Sequence, residues 1–196
     1  DYDTIPVTSK GIQNGDQIYF AIEDTDFDDG YYTLGTVDQN NSPLEGVENR
    51  TWYTLISGDW DNPEIWTLDP SGALPNNPNG YTPSTSPTND RVVILSGKTV
   101  NVTTNNKTLS SINVLGRLDL QGSSGHDFGM LRGNGKILLS GDNFPAGDAS
   151  HFVTEGQGEG TVEYYGSGFE LDQSLELYNL IVNLDNSTET LTLLND

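Results

Sequence analysis

Apolar residues along this chain fall in short clusters separated by Gly, Asn, Asp, Ser and Thr. No stretch sustains apolar positions at i, i+3, i+4 and i+7, so the pattern predicts no amphipathic helix. The clusters predict strands at 17–22, 31–37, 51–56, 91–95, 99–103, 111–115, 117–120, 136–139, 161–165, 180–184 and 190–194. Several share a form: Val92-Val93-Ile94, Ile112-Asn113-Val114 and Leu180-Ile181-Val182 are alike. In Val100-Asn101-Val102 and Leu118-Asp119-Leu120 a polar centre sits between two apolar residues. In a strand the flanking pair faces one side and the centre the other. The first several triplets recur about every 18–20 residues, roughly one coil of a β-solenoid. Each coil of such a fold buries its inner face only by stacking on its neighbours. The wider spacing later predicts an insertion between Gly141 and Gly160. An antiparallel sandwich is the competing all-β arrangement.

The segment 69–89, DPSGALPNNPNGYTPSTSPTN, breaks this pattern with five prolines. Proline donates nothing to a sheet ladder, so a long loop is expected here, and with it a boundary. The expected organisation has three parts. Residues 1–56 form a small β-rich region or solenoid cap; 57–89 form an aromatic segment and a Pro/Asn-rich loop; 90–196 form a parallel β-helix. The fold class is therefore all-β, with the solenoid in the second half. Both ends stop in mid-pattern, at Asp1-Tyr2-Asp3 and Leu194-Asn195-Asp196, so a piece of a longer polypeptide is expected.

Charge changes the picture next. Eight Lys and Arg stand against 29 Asp and Glu, a net charge of −21. Such a field repels phosphate backbones and anionic bilayers, which argues against nucleic acid as a partner. No apolar run approaches the roughly 20 residues that span a bilayer, so membrane insertion is not expected. Self-repulsion of this size favours bound or screening cations. There is no cysteine, which removes disulfides, thiolate metal sites and cysteine nucleophiles.

The densest acidic stretch runs from Glu23 to Asp29. Asp24, Asp26, Asp28 and Asp29 supply the hard oxygen ligands that Ca²⁺ requires, and they are the candidate metal residues. Asp24, Asp26 and Asp28 share the spacing that opens an EF-hand loop. However, Gly30 comes one residue late, and Gly35 stands where a bidentate Glu belongs. An acidic hairpin loop in water is the plainer alternative. Trp60 and Trp66, in TWYTLISGDWDNPEIWTL, are candidate platforms for stacking on sugar rings, against a packed aromatic core as the plainer alternative. Catalytic arrangements are poor. The two histidines, His126 and His151, lie near Ser124 and Ser150, but no nucleophile elbow accompanies them. With 29 acids, some carboxylate pair will always match a glycosidase spacing, so that signal carries no weight. The glycines in Leu131-Arg132-Gly133-Asn134-Gly135-Lys136 have no helix after them and fit a solenoid corner better than a phosphate loop.

Several stretches resemble a repeat of very large surface proteins of the Bacteroidota. They are SGDWDNPEIWTLDPSGALP (57–75), DRVVILSGKTVNV (90–102) and LSSINVLGRLDLQ (109–121). HDFGMLRGNGKILLSGDNFPAGDASHFV (126–153), GTVEYYGSG (160–168) and LYNLIVNL (177–184) follow in the same order as in that family. The likeness covers the chain from Ser57 onward. It implies export by the type 9 secretion system and display on, or release from, the cell surface, as in gliding-motility adhesins. It implies no active site. Asp3-Thr4-Ile5 is similar to the O-glycosylation pattern of that phylum, with Thr4 as acceptor.

The function expected is a structural or adhesive segment of a large extracellular protein, with no catalytic activity. Its expected partners are neighbouring repeats of the same polypeptide or like chains, with surface polysaccharide as a further one. A carbohydrate-binding module and a glycan-active β-helix enzyme are the alternatives. Exposure of Trp60 and Trp66 would favour the first, and a groove joining a basic residue to several carboxylates the second.

Overall fold

The computed structural model describes residues 9–13, 17–21, 50–83, 89–171 and 176–194. The chain divides into two compact units, Asp1–Glu45 and Gly46–Asp196. In the first, β1 (Ser9–Gln13) and β2 (Gln17–Ala21) form an antiparallel hairpin with Ser9 opposite Ala21 and Gln13 opposite Gln17. The strand expected at 31–37 lies outside the described residues.

The second unit is a parallel β-solenoid of about five turns. Its first coil holds β3 (Thr51–Thr54), β4 (Gly58–Asp59) and the short β5 (Trp66–Thr67). The next three coils are β6 (Arg91–Ile94) with β7 (Thr99–Asn101), β8 (Ser111–Val114) with β9 (Arg117–Asp119), and β10 (Asp127–Arg132) with β11 (Lys136–Leu139). Then come β12 (Ala146–Asp148), the one-turn helix α1 (Ser150–Val153) and β13 (Thr161–Gly166), followed by β14 (Phe169–Leu171), β15 (Asn179–Leu184) and β16 (Leu191–Leu193). One sheet stacks β12-β10-β8-β6-β3-β5, a second stacks β15-β13-β11-β9-β7-β4, and β14 pairs with β16. Among the described residues every strand pairing in this unit is parallel except β3 with β5.

The alternation seen in the sequence makes this core. Trp52 aligns with Val92, Val92 with Ile112 and Ile112 with Leu131, and all four are buried. In the second sheet Val100, Leu118, Ile137 and Val162 form an equivalent row. Burying each such side chain contributes about 1.5–3 kcal/mol, so the rows hold the coils in register as well as together. The polar centres Asn101 and Asp119 fall outside, opposite one another.

The corner between the two sheets is closed by backbone. Gly116 donates to Ile94 O at 3.0 Å, and Lys136 donates to Gly116 O at 2.9 Å. A Cβ on Gly116 would lie 2.3 Å from Lys98 O, and one on Gly135 the same distance from Gly116 O. Only glycine permits that approach. The Arg132–Lys136 glycines are thus a solenoid corner, as their sequence implies. The insertion expected after Gly141 is the α1 segment between β12 and β13.

The structure moves one boundary. Thr51–Thr54, assigned by sequence to an N-terminal region or solenoid cap, is a rung of the solenoid: Thr51 aligns with Arg91 and Trp52 with Val92. The described part of the proline-rich segment does not separate domains. Leu68 N bonds Asn76 O and Thr67 Oγ1 bonds Leu74 O, so it folds back on the first coil. Proline does exclude this stretch from the ladders, but the excursion returns to the same sheet it left.

Candidate assembly surface at the last coil

The last coil exposes what earlier coils bury. β15 pairs with β13 over six residues, placing Leu180 on Val162 and Val182 on Tyr164. Val162 and Tyr164 are at most 1% exposed, whereas Leu180 is 51% and Val182 47% exposed. The short third sheet repeats this. Leu193 stacks on Leu171, with 66% exposure against 7%. The apolar rows therefore continue in sequence and in register, and at this end nothing among the described residues covers them. Tyr178, Ile181 and Leu194 add to the apolar surface.

Two features fix the shape of this surface. β15, NLIVNL, carries no charged residue in a chain of net charge −21. Its flanks are tied down by polar bonds. Asn179 Nδ2 donates to Glu159 O at 2.9 Å and Asn183 Nδ2 donates to Glu163 Oε1 at 3.3 Å. Glu163 also accepts from Lys136 Nζ at 2.7 Å. That bond, the Asn183 bond and the nearby cations hold the Glu163 carboxyl below its ordinary value despite its burial. The strand is thus a rigid sheet edge with an apolar face. Compared with known protein families, curated proteins and solved structures, the chain matches none.

The tryptophans offer nothing to a sugar. Trp60 and Trp66 are at most 1% exposed. Their rings meet edge to face at 5.1 Å, and Trp66 Nε1 donates to Trp60 O at 2.8 Å. The stacking role assigned to them is corrected: apolar rings at the start of a solenoid are recruited to close its core. Asp24, Asp26, Asp28, Asp29 and the acceptor Thr4 lie outside the described residues. Among the described residues no cluster of acids and histidines is placed to hold a metal.

The histidines do not make a catalytic dyad. His126 contacts Ser123, not Ser124, and both residues are buried. His126 Nδ1 accepts the Lys107 N–H at 3.2 Å, so the hydrogen-bond network assigns the ring proton to Nε2, which lies 3.0 Å from Ser123 Oγ. The imidazole has no free lone pair for the serine proton, which goes instead to Leu120 O or Val102 O. Burial lowers the His126 pKa and keeps the ring neutral. His151 bonds Gln157 on the surface. An open cleft of about 350 Å³ runs beside it, lined by Leu115, Arg132, Asn134, His151 and Gln157 and by two glycines. Among the described residues no carboxylate lines it, so the basic residue there lacks the acids that a lyase groove combines.

The open end was partly visible in sequence. Leu180-Ile181-Val182 reads as one more core triplet; that the face is uncovered emerges only when the coils are counted in space.

Proposed function

We propose that this chain is a non-catalytic structural or adhesive segment of a large extracellular cell-surface protein, working as one stretch of a longer stacked array. The observation that supports this most is the last coil. Leu180, Val182 and Leu193 extend buried rows in register yet stand open, which is the geometry of a solenoid that accepts another coil. The order of repeat motifs from Ser57 onward supports surface display through type 9 secretion. High negative charge works in the same direction, because it opposes side-by-side clumping while leaving axial stacking through backbone ladders available. Ca²⁺ held by Asp24, Asp26, Asp28 and Asp29 belongs to this proposal, as does surface polysaccharide as a partner. Equal melting midpoints in EDTA and in millimolar Ca²⁺ would remove the metal from it.

The test is extension. A chain lengthened by one solenoid coil after the last strand should unfold at higher denaturant than the 196-residue chain. Equal midpoints and equal slopes would mean that the unit is self-contained and the array reading wrong.

A further inference from the structure

We propose that two copies of this chain pair through β15, in a two-fold contact that closes both open ends. This rests on the reading of the last coil as a stacking surface and names what occupies it when the chain is alone.

Four observations carry it. β15 is the terminal strand of its sheet, with β13 on one side and no other described strand beyond it, so a row of backbone donors and acceptors faces outward. The strand is six residues long and uncharged, with no proline or glycine to blunt it. Its sequence is self-complementary. Antiparallel pairing centred on Ile181 sets Leu180 of one copy opposite Val182 of the other on the core side. On the solvent side it sets Asn179 opposite Asn183, because residues directly opposed in an antiparallel pair share a face. The same register sets Asp185 opposite Leu177 and Glu176 opposite Asn186, so no carboxylate meets a carboxylate.

The fourth observation limits the assembly to two. At the other end of the solenoid, β5 runs antiparallel on β3, and the indoles of Trp60 and Trp66 are buried beneath their surroundings. That end presents no matching rows among the described residues for a head-to-tail contact, which would propagate as a fibre; an isologous contact closes.

The experiment is sedimentation equilibrium of the 196-residue chain, across concentration and at low and high salt, beside Ile181→Lys. Ile181 faces outward and is 39% exposed, so the variant keeps the intramolecular core, which a thermal melt verifies. The wild-type chain is expected to approach twice its 21.3 kDa, more readily at high salt as the carboxylates are screened. Ile181→Lys sets two ammonium groups together at the two-fold and should stay near 21.3 kDa. Wild type at single mass throughout, a variant that dimerises as well as wild type, or a mass that climbs past two copies would each overturn the proposal. A monomeric wild type alongside a more stable coil-extended chain would sink the dimer and leave the array reading standing. A dimer that disappears on extension supports both.

Discussion

The first and last coils of the solenoid are written in the same strand grammar and finished differently. At the first, Trp52, Trp60, Ile65 and Trp66 are all at most 1% exposed. A 3-10 turn (Pro63–Ile65), capped by the Asn62 side chain on Glu64 N at 3.0 Å, leads into β5. The loop beyond is pinned by Asp69, whose carboxylate accepts from Ser71, Ala73 and Leu74; those bonds lower its pKa to about 2. Arg50 lies over the rings of Trp52 and Tyr81 and pairs with the buried Asp90, which also accepts from Trp52 Nε1. At the last coil the residues that would be core are half exposed. The difference teaches that closing a solenoid is a separate task from building it. Repetition makes rungs, whereas the finished end also needs residues outside the repeating strands, here Trp60 and Ile65.

The largest effect expected is at the closed end. Trp66→Ala removes a buried ring that holds Trp60 and should cost about 3–5 kcal/mol in denaturant unfolding. A loss under about 1 kcal/mol would show that the aromatic cluster decorates the end instead of sealing it.

A paired substitution sharpens the contrast. Leu118→Ala, in a covered row, should cost about 2–5 kcal/mol. Leu180→Ala, two rungs beyond Ile137 in the same row, should cost under about 1 kcal/mol at concentrations where the chain is monomeric, since half its surface then meets solvent. In a coil-extended chain the second value should rise towards the first. If the two substitutions cost the same in the monomeric 196-residue chain, the chain covers its own open end in solution.

The solenoid itself was largely legible. Apolar triplets, the first several at near-constant spacing, predicted the rungs β6 to β9, β11, β13 and β15, because one buried side per strand forces the period. The signal failed where geometry departs from alternation. β10, DFGMLR, hides its pattern behind Gly129 at φ 58°, and β12 is wholly exposed, so neither looks like a strand in sequence. β4 and β5 are two residues each and ordered by their partners. For the site, sequence offered Trp60 and Trp66 either to a sugar or to a packed aromatic core, of which the structure has the core, and set the 69–89 loop at a boundary. Both follow from reading locally, since a fold-back is specified by contacts such as Trp60 Nε1 with Pro83 O, 23 residues apart. Conversely, nothing local marks Leu180 and Val182 as exposed, because they are written like any buried row.

The smallest effect tests how far the closed end reaches. Trp60 stacks on Phe128 at 6.1 Å, and Phe128 on His126 at 5.5 Å, so the aromatic seal continues to the fourth coil. Burial depresses the His126 pKa below its ordinary value of 6.5. Below that value the unfolded chain binds a proton that the folded chain resists, so this contribution to stability is present at neutral pH. It is lost as pH falls from about 6.5 towards the folded value. Since acid also relieves carboxylate repulsion, the readout is the difference between wild type and His126→Gln. Wild type should lose stability relative to the variant on going from pH 7 to pH 5, measured by urea midpoints. Parallel profiles would mean that the ring is free to protonate.

The ladder between coils has a mechanical consequence. Among the described residues each rung's backbone ladder reaches only the rungs above and below, so a load applied along the stack is passed from coil to coil, with no ladder bond spanning the whole. Under tension such an object does not rupture at once. It gives up chain one coil at a time, starting at the rim where β15 is held from one side, and each released coil adds length while the remaining coils stay folded.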